Sequence, residues 1–209
     1  QPAPALLFLN QEAVNKEDVV TSQIDNLLLP FAGTFSGTPV EGLTQTVLLQ
    51  TSPKSQLVDP MEAQFSGQKI VDNFTASGTA YTLATRLQGK FKTAFPEGKP
   101  KAADAAADAA SEEDAADSGD WLKESAKESV VTLVGDSDLI YDDFCVRIVP
   151  LFNVAQPVNG NLSLLQNMME QLAGDIDLIG ARSRATLSRP FTVVRQMQAE
   201  AQQQFQDEI

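Results

Sequence analysis

The sequence predicts a single α/β domain in which a mixed β-sheet is flanked by helices. Runs rich in β-branched and apolar residues occupy the early and middle parts of the chain, and two helical patterns follow late. The composition of the 209 residues, 43% hydrophobic and 21% charged, is that of an ordinary globular domain with one sizeable core. No internal repeat is visible, and we expect one domain over residues 1–209.

The first half of the chain carries the patterns of several strands and one short helix. The segments "PALLFLN" and "LLLPFAGTF" predict strands, and Pro30 makes the second an edge or bulged one. The segments "GLTQTVLLQTS" and "AYTLATRLQGKFKTAF" alternate and predict two more, with a bulge or bend at Gly89. Residues 53–74 have no sustained period, so we expect a long connection with one helical turn around Pro60–Phe65.

Residues 97–120 form a segment of low complexity, made chiefly of Ala, Asp and Glu. Alanine favours helix, but the segment has no apolar face to bury and carries like charges throughout. We therefore expect a disordered acidic insertion. Since strand-like sequence lies on both sides, the insertion is not predicted to be a domain boundary.

The second half predicts one strong strand and two helices. Val130 to Val134 should form a strand, and after a glycine turn a helix could start at Asp136 to Asp138. A helix is predicted in "NLSLLQNMMEQLAGD", opened by Asn161 and closed by Gly174. Its expected apolar stripe comprises Leu162, Leu165, Met169 and Leu172. A short strand in "DLIGARSRATL" and a capped helix in "SRPFTVVRQMQAEAQQQFQDEI" complete the prediction.

Charge and composition exclude several classes of function. A net charge of -13 argues against nucleic-acid binding, because a surface that faces phosphates needs clustered Lys and Arg. The absence of histidine removes Ser-His-Asp and Cys-His catalysis and histidine-containing zinc sites. With one cysteine, Cys145, no internal disulfide can form.

The segment "GDSDLIYDD" places four aspartates within eight residues. One interpretation is a magnesium or calcium site formed by Asp136, Asp138 and Asp142, because these cations bind several oxygen atoms. The other is a turn between strand and helix, in which the carboxylates accept backbone N–H groups and favour the helix dipole. The spacing does not fit an EF-hand, and no further cofactor is predicted.

Cys145 and a cluster of arginines are the remaining candidates for chemistry. Cys145 could be a nucleophile, but it lacks a histidine partner and precedes an apolar run, so a buried cysteine is the alternative. Arg182, Arg184 and Arg189 lie within eight residues. They could bind an anion such as phosphate or carboxylate, contact a partner or lipid headgroup, or pair with the aspartates of this chain around a helix start.

The order of the segments carries a family resemblance. From "LLLPFAGTF" through "YTLATRLQGKFKTAFPEG" and "VVTLVGDSDLI" to "NLSLLQNMMEQLAGDIDLIGARSR" and "SRPFTVVRQMQAEAQQQFQ", the chain resembles the GldG-like auxiliary component of ABC-type transport systems, the family named for gliding motility. The resemblance covers nearly the whole chain, and the tail from "LAGD" to "SRPFTVV" is its most specific part.

The resemblance implies a non-enzymatic, non-ATPase subunit that works with a separate permease and ATPase. It implies a periplasmic domain of an inner-membrane protein, of which this chain is the later portion, with a layered α/β sandwich of amidotransferase-like or Rossmann-like type. Binding of a small solute or a glycan is a further implied role. We expect an apolar span of about 20 residues on either side of this stretch in the parent chain. The alternative from another class is a hydrolase or amidotransferase-like enzyme that uses the carboxylates near Asp136.

Overall fold

A computed structural model describes residues 2–97, 122–149 and 154–174. These residues form an α/β arrangement of short strands and few helices. The elements in chain order are β1 (Leu6–Leu9), β2 (Leu27–Pro30), β3 (Leu43–Gln50), α1 (Pro60–Phe65), α2 (Gly67–Asp72), β4 (Thr82–Gly89), β5 (Ser129–Val134), α3 (Asp142–Cys145), β6 (Val146–Val149), β7 (Val154–Pro157) and α4 (Asn161–Leu172).

The described strands form three small antiparallel sheets, β1-β2, β3-β4-β5 and β6-β7. The α/β class is therefore confirmed, whereas the parallel pairing that a mixed sheet requires does not occur among the described strands. β4 pairs antiparallel with both β3 and β5. The sequence pattern does not encode this direction, because side chains alternate in the same way in parallel and antiparallel strands. The layered amidotransferase-like or Rossmann-like arrangement stays a prediction.

The predicted strands of the first half lie where the patterns placed them, with two differences in detail. The bulge falls in β3, where the register with β4 shifts between Val47 and Leu49, rather than at Gly89. Gly89 instead ends β4 with a φ of 144°, a conformation that favours glycine. The helical turn predicted at Pro60–Phe65 is α1, and the following helix α2 was missed.

Helix α4 begins at Asn161, and Gly174, with a φ of 82°, follows its end, as predicted. The predicted apolar stripe was wrong in its second half, whereas Leu165 packs against the core as predicted. Met169 is 60% exposed and Leu172 50% exposed, whereas Leu164 and Met168 lie in the core. The reason is Asn161, whose fully buried side chain binds β2 and turns a different face of the helix inward.

The core joins the first two sheets and α4. Its members are Leu9, Val14, Val20, Ile24, Leu27, Leu29, Leu48, Leu49, Leu83, Ala84, Leu139, Leu164 and Met168. The segment from Val14 to Ile24 contributes despite its polar sequence, because Val14 bridges to Leu49 of β3 and Thr21 donates its hydroxyl to the Asn15 carbonyl at 2.6 Å. One continuous core therefore holds β1-β2, β3-β4 and α4 together.

Three predictions concern residues outside the described part of the chain. They are the acidic insertion at 97–120, apart from Glu97, and the strand and the final helix predicted after residue 174. These stay predictions.

The loops that follow β2 and β5 meet through two glycines. The Gly33 N–H donates to the Gly135 carbonyl at 2.6 Å, and the Gly135 N–H donates to the Leu83 carbonyl at 2.9 Å. A Cβ atom added to Gly135 would lie 2.3 Å from the Gly33 carbonyl oxygen, whereas one added to Gly33 would lie 3.5 Å from the Gly135 oxygen. Only Gly135, of this pair, is therefore required by space.

We expect Gly135→Ala to lower the free energy of unfolding by about 1–3 kcal/mol, because backbone atoms rather than a flexible side chain must move to admit the methyl group. Gly33→Ala is the matched control and should be close to neutral. Urea unfolding followed by circular dichroism measures both variants. Equal destabilisation by the two would show that the close approach of the loops is not the cause.

Candidate functional site

The aspartates of the predicted cation site lie in the turn after β5 and in α3. Asp136 accepts the Asp138 N–H at 2.7 Å through one carboxylate oxygen, as expected for the structural alternative. This bond closes a turn, so the helix begins at Asp142 and not at Asp136 to Asp138 as predicted. Within the described ranges, no group of three or more acidic or cysteine side chains is arranged to hold a metal ion.

The side chain of Asp136 is half-buried. Its second carboxylate oxygen is buried without a hydrogen-bonding partner. Burial is the largest influence and raises the pKa of Asp136, the Asp138 N–H bond opposes that rise, and the nearby Asp138 carboxylate adds to it. Burial therefore makes the ionised form of Asp136 less favourable than it is in water, and the cation site at Asp136, Asp138 and Asp142 stays a prediction.

Cys145 is fully buried, as the alternative to a nucleophile predicted. Its thiol donates to the Leu139 carbonyl at 3.0 Å, and burial raises the pKa of the thiol. A raised pKa disfavours the thiolate, which is the nucleophilic form. The apolar run after Cys145 was expected to be core, yet Ile148 of β6 is 60% exposed. Cys145 is therefore a packing residue beside the acidic turn.

Asn161 connects the acidic turn to the core. Its side-chain amide accepts the Leu28 N–H at 3.0 Å and donates to the carbonyls of Leu28 and Leu139, each at 2.7 Å. Leu28 lies in β2, and Leu139 lies between Asp136 and Cys145. A single buried side chain thus satisfies three backbone groups and fixes the start of α4 against two other segments.

A second buried polar contact joins Asp18 to Arg86 of β4. The two guanidinium nitrogens lie 3.1 Å and 2.6 Å from the two carboxylate oxygens, and the side chains are only 7% and 13% exposed. Asp18 also accepts the Val20 N–H at 3.0 Å. Both carboxylate oxygens of Asp18 bind groups of the protein, so the pair fixes the 18–24 segment on the central sheet.

A surface groove of about 370 Å³ lies beside β1. One wall is β1 itself with Asn10, and the other comprises Thr51, Ser52, Lys54 and Ser55. Glu12 and Ala13 complete the lining. Phe8 projects from β1 with 78% of its surface exposed. The groove therefore combines an exposed strand, one exposed aromatic ring, hydroxyl groups and one charged side chain of each sign.

Comparison with known proteins identifies the family. A family model described as an ABC-type uncharacterized transport system matches residues 1–168. The chain belongs to this family. No curated protein and no solved structure gives a significant match.

As a member of the ABC-type transport family, the protein is an auxiliary component of an ABC transport system. Membership implies association with components of an ABC transporter and a membrane-associated location. Among the described helices none is long and apolar enough to span a bilayer. Arg182, Arg184 and Arg189, the predicted contact residues, lie outside the described part of this family member, so their role stays a prediction.

Sequence patterns missed the groove, the Asp18–Arg86 pair and the central position of Asn161. The groove depends on a strand edge, and an edge leaves no periodic signal. One signal was available for the orientation of the β1-β2 pair. Pro30 has no N–H, so it must lie at a position where β2 donates no hydrogen bond to β1. No local pattern could have joined Asp18 to Arg86 across 68 residues.

Proposed function

We propose that this chain is part of the extracytoplasmic domain of a GldG-like, non-ATPase auxiliary subunit, which acts by contacts with the permease and ATPase of its transport system. The match of the family model over residues 1–168 carries the proposal. The ordered segments quoted above support the GldG-like type and the periplasmic location. The flanking helices expected in the full-length chain would hold the domain at the membrane.

Exposed apolar side chains support a role in protein contacts. Helix α1 has no buried residue, and its Met61 and Phe65 are 65% and 74% exposed. On the next helix Val71 is 46% exposed, and Phe74 beyond it is 49% exposed. Neighbouring exposed apolar side chains of this size are typical of surfaces that bind another protein.

The enzymatic alternative has less support. The Asp136 carboxylate on which it depends accepts a backbone N–H within its own turn, and the Cys145 thiol is buried and bonded to a carbonyl. Binding of a small solute or a glycan, the other role implied by the resemblance, stays a prediction. So does the role of Arg182, Arg184 and Arg189, which we propose to pair with carboxylates of this chain and, secondarily, to contact a transporter subunit.

Purification of the full-length, tagged protein from detergent-solubilised membranes tests the proposal. We expect the permease and ATPase of the same transport system to co-purify, and the ATPase to be lost when the permease gene is deleted. Protease added to intact spheroplasts should cleave the domain, because an extracytoplasmic domain is accessible from outside. Recovery of the protein without either subunit, or cleavage only after lysis, would contradict the proposal.

A further inference from the structure

Helix α4 has two apolar faces, and the core uses one of them. The buried face includes Leu164 and Met168. The other consists of four side chains that follow one another at intervals of three or four residues and therefore lie along one side of the helix. These four, which we call the outer face, are Leu162, Leu165, Met169 and Leu172. Leu165 also packs against the core, whereas Met169 and Leu172 are exposed.

The outer face is too small to hold a separate chain by itself. α4 has 12 residues and is therefore about 18 Å long. Gln166 and Glu170, which bond to each other at 3.3 Å, border the face with polar groups. A stable complex between separate proteins buries about 1,200–2,000 Å² in total. A segment of the same chain needs far less area, because a short linker gives it an effective concentration of about millimolar. The size of the face therefore favours an occupant from this chain.

The sequence after α4 carries a pattern that matches the outer face. Residues 98–121 have no apolar face, and residues 150–153 are too few for a helix. Residues 188–209, which lie outside the described part of the chain, are predicted to form a capped helix. Its apolar stripe has the same intervals of three and four residues and comprises Val194, Met197, Ala201 and Phe205. Two apolar stripes of equal spacing fit side by side as a pair of packed helices.

Charge distinguishes the two directions in which these stripes could align. The connection, residues 175–188, reaches about 46–50 Å when extended, so the predicted helix could start at either end of α4. In the antiparallel alignment Arg195 lies within one turn of Glu170, and the two charges attract. In the parallel alignment Glu200 lies within one turn of Glu170, and the two carboxylates repel. The antiparallel alignment is therefore favoured.

We propose that residues 188–209 form a helix that packs antiparallel on the outer face of α4. Met197 then contacts Met169 near the centre of the face, and both side chains bury apolar surface. The contact returns the chain toward the start of α4, so the folded domain sets the route to whatever follows residue 209. The inference does not depend on the proposed function, because both helices belong to this chain.

A disulfide between positions 169 and 197 tests the contact. Met169→Cys and Met197→Cys are introduced together in the full-length protein, where Cys145 is buried. Under mild oxidation we expect the disulfide to form within one chain at least about tenfold faster than in a control that pairs Met197→Cys with Val40→Cys, because packed cysteines have the higher effective concentration. Val40 is exposed. Mass spectrometry of tryptic peptides identifies the linked positions.

An aspartate in the outer face tests the contact without cysteine chemistry. Met169→Asp would bury a carboxylate under the final helix, and the cost of removing that charge from water should release the helix. Met169 is exposed in the described structure, so the core should stay folded. We expect amide hydrogen exchange at residues 194–201 to be at least about tenfold faster than in wild type. Gln166→Asp, on the polar border of the same face, is the matched control and should leave this exchange unchanged.

The outcomes assign the outer face to one occupant. A rapid disulfide within one chain, together with faster exchange in Met169→Asp alone, supports the inference. A disulfide no faster than the Val40 control, or unchanged exchange at residues 194–201 in Met169→Asp, overturns it. A disulfide that joins two chains assigns the face to a second copy and also overturns it. Loss of the permease from purified Met169→Asp, with unchanged exchange at residues 194–201, assigns the face to the transporter instead. Failure of the wild-type protein to recover either transporter subunit contradicts the proposed function alone.

Discussion

Arg86→Met should lower the free energy of unfolding by about 3–5 kcal/mol, because it leaves the Asp18 carboxylate buried without its partner. The carboxylate is 7% exposed and would keep only the Val20 N–H as a bonding group. Methionine retains much of the volume and the apolar stem of arginine, so the cost reports the charge rather than a cavity. Urea denaturation at neutral pH measures the change.

A double-mutant cycle identifies the source of this cost. Asp18→Asn keeps an oxygen for the Val20 N–H and removes the charge, so Arg86→Met should cost markedly less in that background. Lys69→Met, which breaks the exposed pair with Glu62, is the matched control and should leave unfolding close to wild type. If Arg86→Met cost the same in both backgrounds, its effect would come from packing and not from the ion pair.

The elements that could be predicted are those with a strong local pattern. The alternation of β3 and β4 and the β-branched run of β5 were sufficient to predict these strands. Asn161 and Gly174 were sufficient to predict the two ends of α4. Strand direction was not encoded locally, because alternation is the same in parallel and antiparallel sheets. The expectation of a mixed sheet was based on the order of strands and helices along the chain, and that order does not fix the direction in which the strands pair.

The buried face of α4 shows why hydrophobic periodicity was insufficient at the candidate site. The pattern counted Met169 and Leu172 as core and could not count Asn161, which is polar and yet fully buried. Burial of an amide is favourable only where three backbone groups of β2 and the acidic turn converge on it, and that convergence is set by tertiary structure. In the same way, the sequence indicated an acidic turn at Asp136. The fold determines whether the carboxylate oxygens of Asp136 face a cation or a backbone N–H.

We expect Asn161→Ala, which removes the side chain on which these backbone groups converge, to lower the free energy of unfolding by about 3–5 kcal/mol. It removes the partner of the Leu28 N–H and of the Leu28 and Leu139 carbonyls, and each buried group left unsatisfied costs about 1–3 kcal/mol. Urea unfolding gives the total. Gln166→Ala, at an exposed position of the same helix, is the control and should change stability by less than about 0.5 kcal/mol.

Hydrogen exchange at Leu28 then distinguishes a local opening from general loosening of the helix. Asn161 covers the outer edge of β2, so its loss should speed exchange of the Leu28 amide more than that of Leu29, whose amide pairs with β1. A uniform increase across β2 and α4, or a cost no larger than that of Gln166→Ala, would contradict the assignment of Asn161 as the cover of that edge.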